Sequence, residues 1–139
     1  MISVVNYVMG WDSNDNEATV LAKVAKNGLE LKNASERLKN NPAIVAAAIA
    51  QNPYALQYAS KVLRGLQEIV HPALEKDGLV LQYADGYLKD QFETVKIAIK
   101  QDPYSITVAG PNCQRNPTLI NLATSQDPMV AYFLNKFRT

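Results

Sequence analysis

One cysteine, Cys113, and one histidine, His71, stand among 139 residues. A lone thiol excludes an internal disulfide, a paired-cysteine zinc site and an iron-sulfur cluster, and it suits a reducing compartment. Excess charge of either sign is also missing. Fourteen Lys and Arg face thirteen Asp and Glu, for a net charge of +1. No field of that size gathers phosphates, so neither a nucleic acid nor an anionic membrane is expected as a partner. The one apolar run near the start, Ile2 to Met9, spans about eight positions, has no leading cation and precedes Gly-Trp-Asp. It is too short to cross a bilayer and lacks the flanks of a signal peptide. No glycine-rich phosphate loop, zinc-protease helix motif or serine nucleophile elbow occurs. What remains is an ordinary globular composition, 47 % hydrophobic and 19 % charged, sufficient for one core.

The order lies in a repeat. Written in ungapped blocks of 25 from Glu17, Pro42, Gln67, Phe92 and Pro117, the sequence aligns in columns. Column 4 reads Val20, Val45, Val70, Val95, Ile120. Column 7 holds Ala48, Ala73, Ala98 and Ala123, and column 11 holds Asn27, Asn52, Asp77, Asp102 and Asp127. Apolar residues at columns 4, 7 and 8 mark one face of a first helix, and those at columns 15, 18 and 22 mark a second. Between them, column 12 alternates Gly28, Pro53, Gly78, Pro103. The glycines are expected to supply a left-handed helix cap and the prolines to start the next helix. Alanine-rich windows without period-two alternation argue against strands. The expected fold is all-α: a compact array of nine or ten short helices built from 25-residue repeats, paired into units of about 50. A single domain, 1–139, would hold five repeats over 17–139, with segment 1–16 packing on the first of them.

The phrases NGLELKNAS (27–35), QNPYALQYAS (51–60), DGLVLQYAD (77–85) and QDPYSITVAG (101–110) resemble an alanine- and leucine-rich helical repeat of unknown function, common in secreted effectors of intracellular bacterial pathogens. The resemblance covers roughly residues 17 to 130 and weakens where Cys113 replaces leucine. It implies an interaction scaffold without known catalysis. Some small relatives look like inhibitors of another effector of the same bacterium, including enzymes acting on ubiquitin pathways. Bacterial cytoplasm, or the host cytosol after secretion, is the implied location.

Candidate chemistry is thin. Cys113 falls in a column otherwise held by Leu38, Leu63 and Leu88, which predicts a buried thiol rather than a nucleophile working with His71; His71 falls on an outward column beside Pro72. The polar run Asp12 to Asn16 lacks the glycine and glutamate of a calcium loop, so helix capping is expected. Lys23, Lys26, Lys32, Arg37 and Lys39 form a basic cluster interrupted by Glu30 and Glu36, read as a solvated face. No metal or cofactor is expected.

Surface patterning carries more. Columns 2, 5 and 9 are charged in the third and fourth blocks but read Ala18, Leu21, Ala25 and Ala43, Ala46, Ala50 in the first two. Such an apolar outer face needs a cover: the N-terminal segment, a second copy or a partner. Tyr58, Tyr83 and Tyr87 offer aromatic anchors. The candidate partner-binding residues are therefore Tyr58, Tyr83, Tyr87, Leu21, Ala46 and Ala50. The leading expectation is a non-enzymatic module binding a protein partner; a Cys113–His71 enzyme and a structural homodimer are the alternatives.

Overall fold

The computed structural model describes residues 15–137, so the placing of the N-terminal segment on the first repeats lies outside the described residues. Within them the chain is helical, with no strand. Each of the first four blocks forms one coil with three elements. The first is a ten-residue helix: α1 Glu17–Lys26, α3 Pro42–Gln51, α5 Gln67–Lys76 and α7 Phe92–Gln101. A six-residue 3-10 helix follows: η1 Gly28–Asn33, η2 Pro53–Tyr58, η3 Gly78–Tyr83 and η4 Pro103–Val108. A four-residue helix closes the coil: α2 Glu36–Lys39, α4 Lys61–Arg64, α6 Gly86–Lys89 and α8 Pro111–Gln114. The fifth coil has α9 Pro117–Gln126 and then α10 Val130–Phe137. Long helices stack on long helices and 3-10 helices on 3-10 helices from one coil to the next. The result is a short solenoid.

Two helices per block were expected, and there are three. The second is broken because Ala34, Ala59, Ala84 and Ala109, with the residue after each, are extended. Ser35 and Ser60 then restart the helix, each accepting a bond from the N–H three residues on, at 3.3 Å. Column 11 works in both directions. Its residue is the extended C-terminal cap of the long helix, and its Oδ1 accepts from the N–H two residues on, at 2.9–3.1 Å in all five coils. An Asn or Asp there ends one helix and opens the next, so the corner is built from local chemistry.

The expected valine column is fully buried in four coils, and Ile120, at the last coil, is half-buried. Leu31, Leu56, Leu81 and Ile106 are buried with it, as are Leu38, Leu63, Leu88 and Cys113. Two further columns turn inward: column 3, with Ile44, Ile69, Thr94 and Leu119, and column 14, with Ala55, Val80, Ser105 and Val130. Truncating a buried leucine such as Leu56 to alanine should cost about 2–5 kcal/mol.

The glycines of column 12 do not adopt the expected left-handed cap. Their role is close approach: a Cβ on Gly28 would meet the Ala48 carbonyl oxygen at 2.2 Å, and one on Gly78 would meet that of Ala98 at 2.1 Å. The first coil of each pair thus packs its backbone against the alanine of the second. Between pairs, where column 12 is proline, tyrosine makes the bridge. Tyr54 Oη donates to Asp77 at 2.8 Å and Tyr104 Oη to Asp127 at 2.7 Å. Backbone bonds run through every junction of the first four coils: Ser60 N–H to Lys39 O, Asp85 N–H to Arg64 O and Gly110 N–H to Lys89 O, at 2.7–2.9 Å.

Gly28→Ala or Gly78→Ala is expected to destabilise by at least 1–3 kcal/mol through overpacking. Gly86, with open space where its Cβ would lie, should tolerate alanine or gain up to about 1 kcal/mol. Urea unfolding midpoints read both; equal effects at the three positions would refute the close-packing account.

Hydrogen bonding to Asp77 and Asp127, then partial burial, then the same carboxylate charges, raise the hydroxyl pKa of Tyr54 and Tyr104 above 10. Asp127 is lowered, first by Tyr104 and then by the Met129 N–H. The tyrosine contribution is therefore complete below pH of about 10 and lost as pH rises through the folded values. That of Asp127 is complete above pH of about 4 and lost as pH falls through its folded value. Replacing both tyrosines with phenylalanine should flatten the alkaline limb of a stability–pH curve relative to wild type. An unchanged limb would count against the bridges.

Candidate functional site

The structure first separates the two groups that an enzyme would need together. Cys113 sits on the short helix α8 with 4 % of its surface exposed. Desolvation, then the adjacent Asp90 carboxylate, push its thiol up to about 11. A thiol so placed is protonated at neutral pH and lacks the electropositive niche a nucleophile requires. His71 belongs to the long helix α5. It was expected on an outward column, yet it is half-buried, because its Nε2 lies 2.9 Å from Thr94 Oγ1 of α7. Thr94, itself buried, donates to Gln91 Oε1 at 2.6 Å, and Gln67 joins the same oxygen at 3.0 Å. His71 is thus tied into a polar seam between long helices, whereas Cys113 lies on the short-helix side.

Why Asp90 stands beside Cys113 follows from a local departure in the repeat. Where coils one and two have Ser35 and Ser60, coil four has Gly110, which offers no side-chain cap. The Asp90 side chain occupies the vacated volume, since a Cβ on Gly110 would lie 2.4 Å from Asp90 Cβ. From there Oδ1 accepts the Cys113 N–H at 2.9 Å and Oδ2 accepts from Asn112 at 2.6 Å. The cap is supplied by the preceding coil.

Other polar clusters are spent on structure. Asp12, Ser13 and Asn14 lie outside the described residues. Asp15 accepts from Ser35 and pairs with Arg37 Nε at 3.2 Å, which lowers its pKa, Ser35 being the larger cause. Asn16 caps α1 through the Thr19 N–H at 3.0 Å, as expected. Of the basic cluster, Arg37 is held by Asp15, and Lys39 pairs with Glu36 at 3.2 Å. Among the described residues no three metal-ligating side chains converge, and no helix is long and apolar enough to cross a membrane.

The six partner-binding candidates do not form one site. Leu21, Ala46 and Ala50 are exposed on the outer side of the long helices α1 and α3, and Ala18, Ala25 and Ala43 are exposed with them. Tyr58 and Tyr83 end two 3-10 helices, and both are half-buried against the core. Tyr83 meets Tyr54 edge to face, with centroids 6.2 Å apart, so much of its ring area is already used. Tyr87 alone among the tyrosine candidates stands out, 72 % exposed on α6.

Sequence reasoning missed the companion of Tyr87. Val62 occupies the same column, 21, one coil earlier on α4, and is 67 % exposed. The signal was there: column 22 is buried and column 21 points outward, yet Val62 and Tyr87 are apolar where Arg37 and Asn112 are polar. The Asp85-to-Arg64 backbone bond joins the start of α6 to the end of α4, so both side chains lie on the short-helix edge of adjacent coils.

Stacked 25-residue coils, paired by the Gly–Ala approach, define a helical-repeat protein. The chain belongs to the family described as domain of unknown function DUF4116, whose model matches residues 16–64 and 67–114. Each match spans one pair of coils, from the start of its first long helix to the end of its second short helix. No curated protein and no solved structure matches the chain.

With a pKa near 11, roughly one Cys113 in a thousand is thiolate at pH 8, against about one in ten for an exposed thiol in an unfolded chain. Labelling by a thiol reagent should therefore run at least 100-fold slower in the native protein than in denaturant. Labelling at the unfolded rate would contradict the burial.

Proposed function

We propose that the chain is a non-enzymatic protein-interaction module: a bacterial effector or regulator that binds another effector enzyme and blocks it by occupying its surface. The observation that carries this reading is the short-helix edge, where Val62 and Tyr87 stand exposed in one column of adjacent coils. A preformed helical stack presents such residues at fixed spacing with little entropy left to lose on binding, the property a steric inhibitor needs. Tyrosine at the centre of such a patch makes an effective anchor. The buried, protonated Cys113, placed apart from His71, favours binding over a cysteine-dependent reaction. A pathogen origin, an enzyme of the ubiquitin pathway as the target, and residence in the bacterial or host cytosol follow from the resemblance of the repeat phrases and belong to the proposal.

A second reading has its own observation. Leu21 is 41 % exposed, with Ala46 and Ala50 open on the next coil, a small-residue face on which a second copy could pack. Light scattering across a concentration series decides it. A strictly monomeric chain eliminates the homodimer, and a dimer dissociated by Leu21→Glu supports it.

The primary test is affinity purification from the producing bacterium and from host lysate. The wild type should retain a stoichiometric partner, which the Val62→Ser/Tyr87→Ala variant loses at least tenfold and Cys113→Ser keeps. Retention unaffected by the edge variant would move the interface elsewhere. Turnover abolished by Cys113→Ser in a correctly folded chain would replace binding with catalysis.

A further inference from the structure

The short-helix edge carries charge beside its two exposed apolar side chains. Lys61 and Arg64 flank Val62 on α4, Lys89 follows Tyr87 on α6, and Arg115 lies just beyond α8. Arg64 donates to the carbonyl oxygens of Ala59 and Tyr83, and Lys89 to that of Gln82. These acceptors are neutral, so they hold the cations in place without cancelling them. Lys61 and Arg115 are exposed. Along α4, α6 and α8 two carboxylates share the edge: Asp85, and Asp90, whose two oxygens are taken by Cys113 N–H and Asn112. A chain with a net charge of +1 thus gathers four cations against two acids around one apolar pair.

Gly86, beside Tyr87, has nothing within 4 Å of where its Cβ would lie, which leaves room for a peptide backbone to come close.

We infer that this edge binds an extended acidic segment of a partner protein, seating apolar side chains against Val62 and Tyr87 while Lys61, Arg64, Lys89 and Arg115 meet the flanking carboxylates. This rests on the protein-interaction reading and specifies the partner's chemistry. Apolar contact would set the register, and the cations would select for acidity and speed the encounter.

The probe is a fluorescein-labelled peptide of about a dozen residues, two leucines among aspartates and glutamates, titrated with the whole chain by anisotropy. Binding should weaken at least fivefold when salt is raised from about 0.05 to 0.3 M, as screening requires. It should fall at least tenfold with Tyr87→Ala, and likewise with the pair Lys61→Glu and Arg115→Glu, while the helical circular dichroism of each variant is retained. Absence of binding, equal affinity for a matched peptide with Asn and Gln in place of the acids, or indifference to Tyr87→Ala would overturn the inference. Its failure is separable from failure of the parent reading. If the peptide does not bind but the Val62→Ser/Tyr87→Ala variant still loses its captured partner, only the acidic segment is wrong; if that capture is unaffected too, both fall.

Discussion

A coil of 25 residues cannot enclose a core, and every other feature of this molecule answers to that constraint. The apolar side of a ten-residue helix and the inner side of the short helices after it have no partner within their own coil. Valines 20, 45, 70 and 95 therefore become buried between coils. Helices this short are marginal alone, so local and tertiary structure must form together. The local contribution is to make each corner cheap and definite: a single Asn or Asp at column 11 caps in both directions, and in the first two coils a serine restarts the chain after the extended alanine. The tertiary contribution is alanine at column 7, whose small side chain lets one backbone approach the next. Lys23 holds that column in the first coil, where no coil precedes it among the described residues, and it is exposed.

Two kinds of junction alternate because two ways of closing the gap alternate. Glycine permits backbone to touch backbone within a pair. Proline cannot approach so closely, and a tyrosine reaches across to the column 11 carboxylate instead. That carboxylate keeps its other oxygen on the N–H of its own corner, so the bridge couples the opening of one coil to the seating of its neighbour. The boundaries of the two family matches coincide with this alternation, which gives the unit of about fifty residues a physical basis.

The repeat, its period, its pairing and the helical class were legible in the columns because strict burial leaves few allowed residue types. Columns 3 and 14 were not, since Thr94 and Ser105 look polar. Their hydroxyls are satisfied nearby, by Gln91 Oε1 and by the Ala98 carbonyl oxygen, so burial costs them little. The break in the second helix was hidden for another reason. Leucine, alanine and leucine at columns 15, 18 and 22 suit one continuous helix, and only the capping chemistry of Ser35 and Ser60 distinguishes two. Glycine at column 12 was assigned to backbone freedom when the requirement was absence of a side chain, a fact that depends on the next coil and not on the glycine's own neighbours in sequence. For the candidate site, Tyr87 was legible as an anchor, whereas Val62 became visible only once the coils were set side by side.

Gly110 and Asp90 show how such a stack can change without coming apart. Losing the serine at column 19 would leave an N–H of α8 without a cap, at a cost of about 1 kcal/mol. The same loss opens the volume into which Asp90 moves, and the cap is restored from the coil before. The exchange brings a carboxylate to Cys113, and together with burial this raises the thiol pKa further from any reactive range. A substitution at the junction is thus answered by a partner in the neighbouring coil. Column 21 divides on the same ground: Arg37 and Asn112 bond to Asp15 and Asp90, whereas the Val62 and Tyr87 side chains stand exposed, and a surface outside the bonds of the stack is where binding specificity can be written.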